Sequence, residues 1–443
     1  MRKLIVLPVI LTNLLYAQTL KESVGEILSS NPSIQERLQN YEATKQDINT
    51  AQAGYFPKLD LTLGGGYEET KQKNGAGATV IPTTGNDGKF SVYQNSLVLT
   101  QNIFQGFNTM NKVEEQEYRA VSAAYSYIEQ ANSISFEMTN TYIELLKNKE
   151  LLATAQKNVE IDQEILTKVE KLFDSGLTTL SEVRKIESSL ALAKSNYVVQ
   201  ENSLLDASFN VQKVLGKELS AEKLVKPVLS YKFPKTKQEA IDFALKNNPS
   251  ILVSEFNVKQ AKASKHSLRS AFYPSLDVEV SQNMNKNLSA VEGTDDRFRA
   301  MAYLKYNLFN GFSDQAALVK AEKQISQELN KQEGLKREVL RNLNLSWTSK
   351  KKLEEQLKHL YDYKDASAKT LKLYAKEYDL GRRSLLDLLS AQNDYIGSQS
   401  QIIKTEYNIL LAKYRILNAM GILVPVIIDD KKLIYSNVNI EGK

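Results

Sequence analysis

Between Phe309-Asn310-Gly311-Phe312 and Met420-Gly421 the sequence reads as one long helical hairpin, folded at Tyr378-Asp379-Leu380-Gly381-Arg382-Arg383-Ser384-Leu385-Leu386-Asp387. Its return arm carries two apolar heptad series side by side: Leu388, Tyr395, Ile402, Ile409 and Ile416, then Leu389, Ile396, Ile403, Leu410 and Leu417. A two-stranded coiled coil needs a single narrow seam, so a doubled stripe predicts a helix that packs on both sides, as a stave does in a barrel.

The same stretch occurs earlier in the chain. Phe309, Gly311 and Phe312 answer to Phe104, Gly106 and Phe107, Gly381 to Gly176, Asp387 to Glu182 and Gly421 to Gly216, all at a constant offset. The first copy repeats the heptad as Val183, Leu190, Tyr197, Leu204 and Val211. Upstream, Asn31-Pro32-Ser33-Ile34 matches Asn248-Pro249-Ser250-Ile251, and Tyr55-Phe56-Pro57 matches Phe272-Tyr273-Pro274. The first copy carries about twelve extra residues between Pro57 and Gly106. An internal repeat this regular divides the chain into two structural units, 18–216 and 238–421, with a linker at 217–237 and a tail at 422–443.

Helices are expected at Leu20 to Leu28, Pro32 to Ala53, Gln238 to Leu245 and Pro249 to Ala271, each pair divided by Asn-Pro. The period then changes to two. Leu59, Leu61 and Leu63 alternate with Asp60 and Thr62, and Leu97 and Leu99 with Ser96, Val98 and Thr100. Leu276, Val278 and Val280 alternate with Asp277, Glu279 and Ser281; Ala300, Ala302, Leu304, Tyr306 and Leu308 alternate with Arg299, Lys305 and Asn307. These predict strand pairs over about 59–103 and 275–308, each strand roughly ten residues long, enough to cross a bilayer when tilted. Two hairpins half-buried on a soluble sheet would show the same alternation. Tyr55, Phe56, Phe104, Phe107, Phe272, Tyr273, Phe309 and Phe312 flank the strands as an interfacial girdle would. Lys71 to Lys89 and Asn285 to Asp296 read as exposed hairpin loops. The helical hairpins are expected over 107–215 and 312–420, with rising arms of about 65 residues, or about 100 Å.

Composition excludes more than it selects. Of 443 residues 42% are hydrophobic and 25% charged, ordinary values. The formal charge of +5 falls to +3 once Arg2 and Lys3 leave with the leader, too little for a nucleic-acid reading. The absence of Cys rules out disulfides, thiolate metal sites and a lipidated N-terminal Cys. Met1-Arg2-Lys3, the apolar run Leu4 to Leu15 and Tyr16-Ala17-Gln18 have the three regions of a secretory signal, cut after Ala17. No later segment offers the ~18 consecutive apolar residues of a transmembrane helix. An enzyme is disfavoured: the two histidines, His266 and His359, fall on long helices, no nucleotide or metal motif appears, and the many acids read as solvated helix faces. No cofactor is implied.

The duplicated order of helix, Pro, strand, loop, strand, Gly, helix, turn and helix resembles the TolC family of outer-membrane efflux and secretion channels. So do the paired Phe-x-Gly-Phe junctions and the turns Phe-Asp-Ser-Gly-Leu-Thr-Thr-Leu-Ser-Glu-Val and Tyr-Asp-Leu-Gly-Arg-Arg-Ser-Leu-Leu-Asp-Leu. The resemblance implies an α+β membrane protein in the cell outer membrane, extending into the periplasm. It implies a homotrimeric 12-stranded β-barrel with four strands per chain, continued by a long periplasmic α-helical barrel with a closed tip. It also implies passive conduction of drugs or, in type I secretion, protein from an inner-membrane ABC or RND transporter linked by a periplasmic adaptor (membrane fusion) protein. A periplasmic coiled-coil adaptor or structural rod is the alternative; it accounts for the heptads and the leader but not for strand pairs at matching points of both repeats.

Carried over by residue, the resemblance places adaptor docking at Gly176, Leu177, Thr178, Gly381, Arg382 and Arg383. It places polar gate links at the tip between Glu182 and Arg383 and between Ser181 and Tyr378, and a cation-attracting ring of carboxylates at Asp387. Where family members often carry a second Asp this chain has Ser390, so the ring should bind cations more weakly. Both acids have a second reading. Thr179-Leu180-Ser181-Glu182 and Ser384-Leu385-Leu386-Asp387 are capping boxes, in which each acid only closes a helix start.

Overall fold

The computed structural model describes residues 18–70, 88–221, 224–288, 293–430 and 435–438. The leader expected over 1–17 lies outside them, as do most of the loop expected over Lys71 to Lys89 and parts of the second loop, the linker and the tail. The repeat appears first in the element order. Helices α1 (Leu20–Ser30) and α2 (Pro32–Gln52), strands β1 (Lys58–Thr70) and β2 (Gly88–Gln105), and helices α3 (Asn108–Asp174) and α4 (Leu180–Leu215) are followed by the same series. The second series is α5 (Lys237–Asn247), α6 (Pro249–Leu268), β3 (Ser275–Lys286), β4 (Thr294–Lys305), α7 (Ser313–Asp379) and α8 (Leu385–Ala419). A short α9 (Leu423–Ile428) closes the series within the tail. It accommodates Pro425 because a proline in the first helical turn removes no intrahelical bond.

The two copies agree down to their backbone. α3 and α7 are both 67 residues long. Gly106 and Phe107 sit at φ 57° and 64°, and Gly311 and Phe312 repeat both values. A phenylalanine in the left-handed region is strained, so finding it twice marks the strand-to-helix junction as a built feature of the fold. Each junction is braced by an edge-to-face aromatic pair, Phe104 with Phe107 and Phe309 with Phe312, both at 5.3 Å between centroids. The Asn-Pro breaks are equally matched. Asn31 accepts from Ser33 N–H at 3.0 Å and donates to the Val214 carbonyl at 3.1 Å; Asn248 accepts from Ser250 N–H at 3.0 Å and donates to the Ala419 carbonyl at 2.9 Å. Each asparagine thus starts one helix and caps the carbonyl end of another, joining α2 to α4 and α6 to α8.

The chain divides into two compact units. One comprises Asn40–Ala123 and Val253–Gln332 and holds the sheet, antiparallel in the order β1-β2-β3-β4. Directly opposed residues share a face. Leu59 lies across from Leu99 and on to Val280 and Ala300, and Leu61 from Leu97, which makes one face apolar. The other face carries Asp60, Thr62, Gln94, Ser96, Thr100, Asp277, Glu279 and Lys305. The apolar face is uncovered, Leu61 being 65% exposed. The strand expected to reach Leu308 stops at Lys305. β4 is an edge strand held on one side only, and the Asn307 carboxamide accepts the Phe309 N–H at 3.0 Å, which turns the chain out of the ladder.

The other unit comprises Met1–Gln39, Ala124–Leu252 and Glu333–Lys443 and is helical. One of its cores packs Ala240, Ala244 and Ile251 against Val339, Leu343, Ile416 and Met420. The first heptad series of α8 is the deeper one: Leu388, Ile402, Ile409 and Ile416 are buried, whereas Ile396, Ile403 and Leu410 of the second are half-buried. On α4, Leu192, Val198, Val199, Leu205 and Phe209 form an exposed apolar stripe.

Candidate functional site

The site is the pair of turns that close the two helical hairpins, and both are made in one way. Gly176, at φ 71°, donates to the Phe173 carbonyl at 2.8 Å while Leu177 N–H reaches back to Leu172 at 2.8 Å. Gly381, at φ 69°, donates to Tyr378 at 2.9 Å and Arg382 N–H to Glu377 at 2.8 Å. This left-handed glycine closure satisfies the last carbonyls of α3 and α7 and reverses the chain. The tips leave Leu177, Leu180, Leu380 and Leu386 exposed, Leu177 by 75%.

Beneath the turns, Leu166 and Val169 of α3, Val183, Ile186 and Leu190 of α4, Tyr378 of α7, and Leu385, Leu388 and Leu389 of α8 form one buried cluster. The hairpins are therefore held together by apolar packing, with polar contacts around that core.

The helix starts after the turns differ. At α8 the Ser384 hydroxyl accepts the Asp387 N–H at 3.2 Å and donates to Asp387 Oδ2 at 2.8 Å, so this acid closes the helix start. At α4 the Thr179 side chain makes no cap bond and its hydroxyl instead pairs with Ser181 Oγ at 2.7 Å. Glu182 is thereby free for other partners. Its Oε2 accepts from Thr178 Oγ1 at 2.6 Å and, from the other hairpin, Tyr378 OH at 3.4 Å. Tyr378 is 8% exposed, and its hydroxyl is pushed up to about 12 by burial and then by the Glu182 charge, so it remains a donor.

The expected pairs of Glu182 with Arg383 and of Ser181 with Tyr378 are not the ones this chain makes. Arg383 Nε donates to Glu377 at 2.9 Å and its guanidinium lies 4.1 Å from the centre of the Tyr374 ring, both on its own hairpin. The nearby acid and ring hold the planar guanidinium more cheaply than a reach across to α4 would. A further cross-hairpin contact went unforeseen: Lys168 of α3 forms an ion pair with Asp379 of α7 and lies 5.9 Å from the Tyr378 ring centre. The signal was present only as an acid next to Tyr378, with nothing to identify its partner. Among the described residues no cluster of acids or histidines within one chain could hold a metal.

The model of the family described as outer membrane efflux protein matches residues 24–217 and 240–422, which is both repeats. The chain belongs to the outer membrane efflux protein family. Relatives of this efflux protein include the outer membrane efflux protein BepC of Brucella suis, 21% identical over 91% of this chain and 86% of that one. The outer membrane protein TolC of Escherichia coli is 20% identical over 93% of this chain and 84% of its own length. Among solved structures, CusC superposes with a TM-score of 0.80 at 17% identity, covering 91% of this chain and 92% of that one. The outer membrane protein VceC of Vibrio cholerae gives 0.77 at 16%, covering 91% and 96%. These neighbours share the fold of a barrel continued by a helical tunnel. The efflux protein is an outer-membrane channel component and not an enzyme, and the rod or adaptor alternative falls with that membership. The family's channels are homotrimers that work with efflux systems.

Proposed function

We propose that three copies of this chain form a single outer-membrane conduit whose strands close into a 12-stranded barrel and whose helical hairpins close its periplasmic tip. The uncovered apolar stripe on α4, Leu192, Val198, Val199, Leu205 and Phe209, is the observation that carries this reading, because such a stripe at helical spacing calls for a neighbouring helix that the chain itself does not supply. The apolar sheet face then meets lipid, and the polar face with Asp60, Thr62, Asp277 and Glu279 lines the lumen.

The tip is the gate. Glu182 with Tyr378 and Lys168 with Asp379 tie the two hairpins of one chain together, and opening requires both links to part. The adaptor docks on the turns, where Gly176, Leu177, Thr178, Gly381 and Arg382 present backbone and leucine surface and Arg383 keeps its Glu377 partner. Energy comes from an inner-membrane ABC or RND transporter, since a passive conduit supplies none. Cargo is a small drug-like molecule or a secreted protein, according to that transporter.

Outer-membrane fractionation and electrophoresis after mild SDS test the assembly. The expected result is a trimer in the outer-membrane fraction that Val199→Asp combined with Leu205→Asp abolishes; a soluble monomer from the unaltered chain would overturn the reading. Co-purification of the adaptor should be lost in Leu177→Asp with the trimer intact.

A further inference from the structure

Six residues before Lys168, about 9 Å along α3, Asp162 is 2% exposed. It joins three helices drawn from both hairpins. Gln392 of α8, 1% exposed, donates from Nε2 to Asp162 Oδ1 at 2.7 Å and to Asn158 Oδ1 at 3.1 Å; Ser189 of α4 donates to Asp162 Oδ2 at 3.1 Å. The Gln392 Oε1 atom is buried with no hydrogen-bond partner. A glutamine whose amide donates twice while its carbonyl oxygen is left dry is half satisfied, and a buried acceptor left dry is costly. The group at hand that can become a donor is the carboxyl it already contacts.

We propose that Asp162 and Gln392 form a proton-bearing latch. In the closed tip Asp162 is the neutral acid, its O–H donating to Gln392 Oε1 while Gln392 Nε2 donates back, and the proton returns to solvent when α8 parts from α3. The only bond made or broken is the carboxyl O–H: one proton per chain is taken from solvent on closing and returned to it on opening. The latch rests on the tip-gate reading above and deepens it, since α3 and α8 belong to the two hairpins that part there.

Burial raises the Asp162 carboxyl above its usual range, against the hydrogen bonds from Gln392 and Ser189, which lower it. Charged groups on the surrounding helices are Glu160 and Glu164 on α3, Arg184, Lys185 and Glu187 on α4, Lys364, Asp365, Lys369 and Lys372 on α7, and Asp394 on α8. Arg184 and Glu187 pair with each other, Tyr363 donates to Asp394, and none of these charges contributes to the shift at Asp162. No nearby charge therefore compensates an ionised Asp162, which would keep only the hydrogen bonds from Gln392 and Ser189. The sign follows from an acid raised in the closed state: the latch is at full strength below the ordinary carboxylate value, about 4, and weakens as pH rises through the raised one. Tip opening is favoured by alkaline shift, by up to about tenfold in the open-to-closed ratio per pH unit per chain, and about a thousandfold where three chains open together.

Single-channel recording of reconstituted full-length trimers from about pH 4, the ordinary carboxylate value, up to about pH 8 tests it, since linkage fixes both the sign and the limit of the slope. The unaltered protein should open more as pH rises. Asp162→Asn, whose amide reproduces the donor and acceptor of the neutral acid, should stay closed across the range with its slope gone. A pH-independent open fraction in the unaltered protein, or a full slope in Asp162→Asn, would overturn the latch. Should Asp162→Asn fail to assemble, infrared spectra of trimers labelled with ¹³C-aspartate decide. The closed form should show a neutral-carboxyl band above the ordinary carboxylate range that disappears in the Tyr378→Phe/Asp379→Ala variant, and absence of that band from the closed form would refute the proposal. That variant also separates the two readings. If it leaves conductance unchanged the tip gate itself falls and the latch with it; if it opens the pore while the unaltered protein ignores pH, the gate stands and the latch alone falls.

Discussion

The two hairpin turns are built on one backbone plan and wired differently. Both close on a left-handed glycine with matching hydrogen bonds, and both are followed by a hydroxyl and an acid three residues apart. In the second turn Ser384 and Asp387 consume one another as a helix start; in the first, Thr179 turns to Ser181 and leaves Glu182 to reach Tyr378. Duplication thus preserves what sets the path of the chain, while the polar side chains diverge into one half that caps and one half that links. That asymmetry frees Glu182 for the other hairpin, beside the ion pair that Lys168 makes with Asp379.

Substitutions placed at matching points of the repeats test how far the equivalence goes. The largest effect is expected in the sheet. Leu61→Arg in the first repeat and Val278→Arg in the second should each cost about 2–4 kcal/mol on a lipid face and deplete assembled trimer alike, whereas Thr62→Arg on the polar face should assemble. Loss in one repeat only, read from trimer yield in outer membranes, would break the equivalence there. Next come the Asn-Pro breaks. Asn31→Ala and Asn248→Ala each leave a helix-end carbonyl and an N–H without their partner, worth about 1–3 kcal/mol, and both should lower the thermal midpoint. The drop should be larger for Asn248, which is 7% exposed. The smallest effect separates the turns themselves: Ser384→Ala should lower stability by about 1 kcal/mol as a lost cap, and Thr179→Ala by only a few tenths, since it makes no cap bond. Equal losses at both would mean that the two helix starts are wired alike.

What could be read in the sequence was whatever local periodicity or backbone chemistry dictates. The heptads of α4 and α8, the alternation around Leu61 and Val278, and the glycines at 176 and 381 each declare their conformation within a few residues. The limits of the strands were less legible, as β4 shows: the alternation runs on to Leu308, and the bond from the Phe309 N–H to the Asn307 side chain, which turns the chain away, is visible only in the structure. Partner choice at the tip was not legible at all. Lys168 and Asp379 are far apart in sequence, and Glu182 and Asp387 stand at equivalent capping positions, so only the packed turns decide which is spent on its own helix. Asp162 looked like one more acid on a solvated helix face; its burial exists only once α4 and α8 lie against α3.

The central claim is that polar links between the hairpins hold the tip shut. An exposed ion pair such as Lys168 with Asp379 contributes about 0–1 kcal/mol by itself. In the proposed gate three symmetric copies of such links act beside the buried Tyr378 contact, enough to bias a two-state tip with little effect on folding. Conductance of purified trimers in planar bilayers measures this directly. Tyr378→Phe combined with Asp379→Ala should raise conductance markedly while the thermal midpoint barely moves, and Asp387→Ala, which uncaps α8 and removes neither cross-hairpin link, should leave the tip as closed as in the unaltered protein. A double variant with unaltered conductance, or an Asp387→Ala trimer that opens as fully, would contradict it.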